Sequence, residues 1–155
     1  MKTHGILLLC FLLAGCDQPN ETQLRLDASR QLQRTIDTNP LRGSCESIAR
    51  GREWLTPRTL EQLEAKGCQN VLRSATETNF THTEIFHRAL TTVCGGIQGK
   101  SFTGTTLNRR FIYSSEEKAL VIEPMTDQDK TRFEGHKTLQ QLQDDFDRQM
   151  TQYCQ

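Results

Sequence analysis

The chain has 155 residues, and its 19 Lys and Arg side chains equal its 19 Asp and Glu side chains in number. A chain this close to neutrality has no general electrostatic attraction for nucleic acid or for anionic lipid, which argues against a nucleic-acid-binding protein. Its length fits one domain with a modest hydrophobic core rather than two domains.

The first 15 residues have the organisation of a cleavable signal peptide. Lys2 supplies a positive charge, and residues 6–14 form an apolar run that gives way to polar residues at 17–21. A signal-peptide core needs ~7 to 15 apolar residues, whereas a helix that crosses a bilayer needs ~20. The sequence therefore predicts a signal peptide over residues 1–15 rather than a membrane span.

The end of this segment carries a short motif, Leu13, Ala14, Gly15 and Cys16. It resembles the lipobox of bacterial lipoproteins, in which a cysteine follows a leucine and two small residues. The resemblance implies that Cys16 is alkylated by diacylglycerol and becomes the first residue of the mature protein, and two or three acyl chains anchor a protein durably. An ordinary secretory signal with a chance cysteine is the alternative.

Asp17, directly after that cysteine, indicates which of the two bacterial membranes would hold the anchor. Lipoproteins of this appearance in enteric bacteria tend to be retained in the inner membrane. The resemblance thus implies an inner-membrane anchor facing the periplasm, a lipidated tether over residues 16–23, and a single periplasmic α+β domain over residues 24–155.

Three helices are predicted at the start of that domain. The first has an apolar residue at every fourth position and ends at residues 39–40, Asn-Pro. The second covers residues 44–54. The third begins with Thr56 as N-cap and Pro57 at the first helical position, and it stops near Gly67. The apolar stripe of the first helix consists of Leu24, Ala28, Leu32 and Ile36.

Residues 76–106 are ambiguous, because helical spacing of apolar residues coexists with threonine and phenylalanine enrichment typical of strands. This part of the chain also contains a pattern of aromatic, cysteine and glycine residues: Phe80, Val93, Cys94, Gly95, Gly96, Gly99, Lys100, Ser101, Gly104, Arg110, Phe111 and Ile112. With this pattern, residues 71–123 resemble small exported bacterial proteins of uncharacterised function, with departures at Gly96, Ile97 and Thr105. The resemblance implies strands at 80–87, 91–98, 108–114 and 118–123, and no activity.

The last part of the chain gives clearer signals. Two short apolar runs around residues 114–117, Ser-Ser-Glu-Glu, predict an antiparallel hairpin that Pro124 closes. Thr138 is the expected N-cap of a final amphipathic helix whose apolar residues recur every three or four positions. The predicted fold class is therefore α+β, with N-terminal helices, a four-stranded antiparallel meander and a C-terminal amphipathic helix. The apolar face of that helix consists of Leu139, Leu142, Phe146, Met150 and Tyr153.

Four cysteines follow Cys16, and an even number in an exported chain favours two disulfides. Of the three possible pairings we favour Cys45 with Cys68, within the N-terminal helices, and Cys94 with Cys154, between the sheet and the last helix. Structural zinc sites usually bring cysteines in close sequence pairs, which are absent from this sequence. Disulfides are therefore the preferred interpretation.

The search for chemistry yields no catalytic residue, cofactor or metal ion. His82 and His87 flank Glu84 but lie five positions apart, whereas a helical metalloprotease motif needs four. The glycines from Gly95 to Gly104 miss the spacing of a phosphate-binding loop, and disulfide pairing would leave no cysteine as nucleophile. Two hypotheses remain. The first is a non-enzymatic, lipid-anchored component that binds an envelope protein. The second is a lipid-anchored hydrolase whose site is assembled from dispersed residues such as His82, Glu84 and His87.

Overall fold

A computed structural model describes residues 19–50, 54–130 and 134–155. The predicted signal peptide, Cys16 and Asp17 lie outside the described residues. The helices are α1 (Glu21–Asp37), α2 (Arg42–Ala49), α3 (Pro57–Ala65) and α4 (Leu139–Tyr153), with 3₁₀ turns at Cys68–Asn70 and Ala75–Glu77. The strands are β1 (Asn79–His87), β2 (Thr91–Lys100), β3 (Thr106–Ser114) and β4 (Ala119–Ile122).

The four strands form one antiparallel sheet in the order β1-β2-β3-β4, which is the predicted meander. The central hairpin is longer than expected, because pairing between β2 and β3 continues to Lys100 and Thr106. The turn that follows is closed by the Ser101 amide, which donates to the Thr105 carbonyl at 2.9 Å. The predicted α+β class and C-terminal helix are confirmed.

The predicted tether over residues 16–23 is too long, because helix α1 already begins at Glu21. The reason is local: the side chain of Asn20 accepts a hydrogen bond from the Gln23 amide at 2.8 Å and caps the helix. Helix α2 is shorter than the predicted 44–54 and ends at Ala49, because Arg50 leaves the helical region with φ −58° and ψ 135°.

One face of the sheet packs against α1. The predicted stripe of α1 is buried, with no member more than 3% exposed. It contacts apolar side chains of β2 and β3 that include the fully buried Phe111, whose ring centroid lies 4.8 Å from that of Phe80. Burial of each valine, leucine, isoleucine or phenylalanine side chain in this layer contributes roughly 1.5 to 3 kcal/mol, and the layer is the main hydrophobic core. Its strand members are Val93, Ile97, Phe111 and Tyr113.

The opposite face packs against α4. Phe146 is buried against Ile112 and the Cys94–Cys154 disulfide, while Thr92 donates its hydroxyl to the Tyr153 carbonyl at 2.9 Å. The helix begins with a capping box, in which Thr138 and Gln141 exchange side-chain and backbone hydrogen bonds.

Arg110 adds a polar clamp to the same face. Its guanidinium lies 5.2 Å from the centroid of the Phe146 ring and donates to Glu123 at 2.6 Å and Asp147 at 2.7 Å. Partial burial alone would raise the pKa of the Glu123 carboxyl, but the Arg110 hydrogen bonds outweigh it and the pKa is lowered. The guanidinium thus joins β3, the segment after β4, and α4.

Helices α2 and α3 form a separate small core at the side of the sheet. The Cys45–Cys68 disulfide is fully buried there beside Leu63, Val71 and Phe102. Both predicted disulfide pairings are therefore confirmed.

We expect the two disulfides to contribute unequally to stability. They span 23 and 60 residues, and loop-closure entropy gives roughly 3.4 and 4.3 kcal/mol for loops of these sizes. Urea unfolding should therefore show a larger loss of free energy for Cys94→Ala/Cys154→Ala than for Cys45→Ala/Cys68→Ala. An equal or reversed order would contradict the loop-closure argument.

The pairing of β1 with β2 contains a bulge that requires glycine opposite it. The register shifts between Thr81 and Glu84, and His82 has a left-handed φ of +50°. A Cβ on Gly95 would lie 2.8 Å from the His82 carbonyl oxygen and 2.9 Å from that of Thr81. Both contacts are with backbone, which cannot move aside without displacing the strand.

Gly95→Ala should therefore destabilise the fold by about 1 to 3 kcal/mol, the usual cost of overpacking. Gly43 in α2 is the matched control, because a Cβ there would meet nothing within 4 Å. Gly43→Ala should stabilise by up to about 1 kcal/mol through helix propensity. Chemical denaturation of both variants checks the two opposite signs, and a neutral Gly95→Ala would contradict the close approach.

Candidate functional site

The residues of the hydrolase hypothesis do not converge in the structure. Glu84 pairs with Cys94 and His87 with Thr91 in an unbroken register, so their side chains lie on opposite faces of β1. His82 lies in the bulge. Within residues 19–50, 54–130 and 134–155, no group of three or more His, Cys, Asp or Glu side chains could hold a metal ion.

A groove between α1 and the β3–β4 turn offers a different site. It has a volume of about 570 Å³. Helix α1 supplies side chains beside its buried stripe, the turn supplies the facing wall, and Tyr113 of β3 lies between them. The lining residues are Pro19, Asp27, Arg30, Gln31, Arg34, Tyr113, Ser115, Glu116 and Lys118.

Both carboxylates of the groove already have hydrogen-bond donors. Asp27 accepts from Gln23 at 2.8 Å and from the Arg30 guanidinium at 3.0 Å. Glu116 accepts from the Thr91 amide at 3.0 and 3.1 Å. Burial would raise the pKa of the Glu116 carboxyl, but the hydrogen bonds, that from Thr91 foremost, lower it. The acidic side chains are thus held in place by the protein itself.

Two cations of the groove lack such partners. Arg34 and Lys118 are exposed, and neither makes a salt bridge or a side-chain hydrogen bond to any residue that the structure describes. With Arg30 already paired to Asp27, the groove retains two positive groups that no carboxylate of the described chain neutralises.

Tyr113 is the third unpartnered group. Its side chain is only 2% exposed, yet it lines the groove, and its hydroxyl has no hydrogen-bond partner among the described residues. Burial raises the pKa of the phenol, and the charges of Asp27 and Glu116 raise it further. The residue lines the groove, and a protonated phenol here is a hydrogen-bond donor available to a bound group.

Lys118 has a backbone conformation that lysine rarely adopts. Its φ is +49°, in the left-handed region that glycine and asparagine favour. The lysine at this turn therefore carries a backbone cost of roughly 1 to 2 kcal/mol. Residues in such sparsely populated conformations cluster at active sites and ligand-binding positions.

Sequence reasoning did not find this groove. Arg34 and Lys118 are far apart in the sequence, and the apolar runs predict the helix and the hairpin without predicting that they meet. The one local signal was the turn itself, where lysine follows Ser-Ser-Glu-Glu in a place that commonly holds glycine or asparagine. The predicted lipidation residue, Cys16, lies outside the described residues, and the four disulfide cysteines lie away from the groove lining.

No family model matches the chain, and searches of the curated proteins and of the solved structures also give no match. Among the described residues, every helix is too short or too polar to traverse a bilayer.

The raised pKa of Tyr113 predicts a specific loss of stability at high pH. The unfolded chain releases this proton near the ordinary phenol pKa of about 10, whereas the folded chain releases it at higher pH. The stabilising contribution is therefore full below about pH 10 and is lost as the pH rises through the raised value.

The free energy of unfolding should be measured at about pH 8 and about pH 11. Its decrease between these two pH values should be smaller in Tyr113→Phe than in the wild type. Tyr153→Phe, which alters the other tyrosine of the chain, is the control. Tyrosinate absorbance of the Tyr153→Phe variant should show Tyr113 ionising above the ordinary phenol pKa of about 10. Identical behaviour of the two variants would contradict this assignment.

Proposed function

We propose that this chain is a bacterial lipoprotein, anchored in the inner membrane through acylated Cys16, whose periplasmic domain is a non-enzymatic binding component of an envelope process. The observation that carries the proposal is the motif Leu13-Ala14-Gly15-Cys16 at the end of an apolar segment. Asp17 favours the inner membrane over the outer one. The binding partner is expected to be an envelope protein.

The disulfides support export and leave Cys16 free for modification. Cys45 pairs with Cys68, and Cys94 with Cys154, so every cysteine after Cys16 in the sequence has its partner. Disulfides persist in oxidising compartments such as the periplasm and are rare in the cytosol. A Cys16 thiol would therefore have no cysteine of its own domain with which to pair.

The start of α1 supports a domain held close to the membrane. Four residues separate Cys16 from Glu21, the first residue of α1. Even a fully extended chain of that length reaches at most ~18 Å. A lipid anchor at Cys16 would thus keep the N-terminal end of α1 near the lipid headgroups, and a partner would be met at the membrane surface.

A metabolic-labelling experiment tests the anchor. Cells that express the full chain and are fed an alkyne fatty acid should yield a labelled mature protein that begins at Cys16 and fractionates with the inner membrane. The Cys16→Ser variant should carry no label. A wild-type protein without label, or a mature N-terminus at another residue, would overturn the proposal.

The binding role needs a second measurement on the same cells. Crosslinking followed by purification should recover one envelope protein with the wild-type chain and much less of it with Cys16→Ser. A partner recovered equally with both forms would contradict binding that depends on membrane position.

A further inference from the structure

We propose that the groove between α1 and the β3–β4 turn binds the phosphate of an anionic phospholipid headgroup, beside the chain's own lipid anchor. The inference rests on the proposed function, because it uses the position of the anchor. The groove's free donors carry the argument for a phosphate, and its position in the chain carries the argument for a lipid.

Three groups of the groove can donate hydrogen bonds and have no partner among the described residues. Arg34 and Lys118 have no partner among the residues that the structure describes, and the hydroxyl of Tyr113, a residue that is 2% exposed, is likewise unpartnered. A guanidinium, an ammonium and a phenol hydroxyl are all donors, and a phosphate offers several acceptor oxygens to them.

The carboxylates in the lining do not act as acceptors for Arg34, Lys118 or Tyr113. Asp27 is turned to Gln23 and Arg30, and Glu116 to the Thr91 amide and the Ser115 hydroxyl. Their existing donors hold both carboxylates, and three cations against two carboxylates leave the lining with a net positive charge. The uncompensated charge therefore suits one bound anionic group, although the chain as a whole is neutral.

The position of the groove points to lipid as the source of that anion. Pro19 forms part of its lining and lies three residues after Cys16. Three residues span at most ~11 Å, so a thioether-linked lipid at Cys16 would place this end of the groove at the depth of the headgroups. Clusters of basic side chains at that depth are attracted to anionic lipid.

The backbone of Lys118 supports a binding role independently of the charges. Its φ of +49° makes lysine an unfavourable choice for this turn. Lys118→Gly should therefore leave the fold as stable as before, or more stable, while removing one of the phosphate donors. A purely structural lysine would give no binding change with this substitution.

The test measures protection of lysine amines in the full-length lipoprotein on vesicles. The protein is incorporated into vesicles of phosphatidylcholine alone or of phosphatidylcholine with phosphatidylglycerol, and is briefly acetylated before mass spectrometry. Lys118 should react about fivefold more slowly on the vesicles that contain phosphatidylglycerol. Lys66, an exposed residue at the end of α3 and outside the groove lining, is the internal control and should react equally on both.

Two variants assign the protection to the groove. Arg34→Gln and Tyr113→Phe should each reduce the protection of Lys118 at least twofold, whereas Arg58→Gln, on the exposed surface of α3, should not. The Lys118→Gly variant should unfold at an unchanged or higher urea concentration. When it is introduced into the Cys16→Ser chain, the same substitution should lower the affinity of that chain for phosphatidylglycerol vesicles.

The outcomes separate the groove from the anchor. Flotation of the wild-type protein with phosphatidylcholine vesicles reports the anchor alone, so its failure would contradict the proposed lipoprotein and not the groove. Equal acetylation of Lys118 on both kinds of vesicle, or equal protection of Lys66, would overturn the lipid site. Protection by inorganic phosphate on phosphatidylcholine vesicles, without any effect of phosphatidylglycerol, would identify a free anion as the ligand and also overturn it.

Discussion

The packing of the apolar stripe of α1 on the sheet determines the rest of the structure. This stripe is a single line of residues on the helix, and it packs on the central strands around Phe111. It consists of Leu24, Ala28, Leu32 and Ile36. Because the stripe is narrow, the neighbouring positions of α1 remain at the surface. Their charges then have a fixed place relative to the strands, and on one side they form a wall of the groove.

The same sheet must also be covered on its other face. Helix α4 does this with few apolar residues, and the Cys94–Cys154 disulfide and the Arg110 clamp hold it in place. A covalent bond compensates for a small apolar contact, as is common in exported domains of limited size. The helical pair α2 and α3 repeats the arrangement, with the Cys45–Cys68 disulfide at the centre of its own small core.

Much of this fold could be predicted from the sequence, because its signals are local. The stripe of α1, the hairpin around residues 114–117 and the pairing of the four cysteines each depend on short-range patterns or on a small number of combinations. The early start of α1 was missed because it depends on a single capping hydrogen bond, which the Gln23 amide donates to the Asn20 side chain. The groove was missed because only the tertiary packing brings Arg34, Tyr113 and Lys118 together, and overall neutrality conceals a local excess of positive charge.

The bulge in β1 lies on an outer strand of the sheet and limits pairing with another chain. β1 and β4 are the two outer strands of the sheet, and an outer strand exposes backbone donors and acceptors to which another chain can add. The irregular pairing between Thr81 and Glu84 interrupts that row on one side, and β4 is only 4 residues long on the other. The short outer strand and the bulge therefore leave few regular sites at which a second copy could extend the sheet, which protects against aggregation through strand pairing.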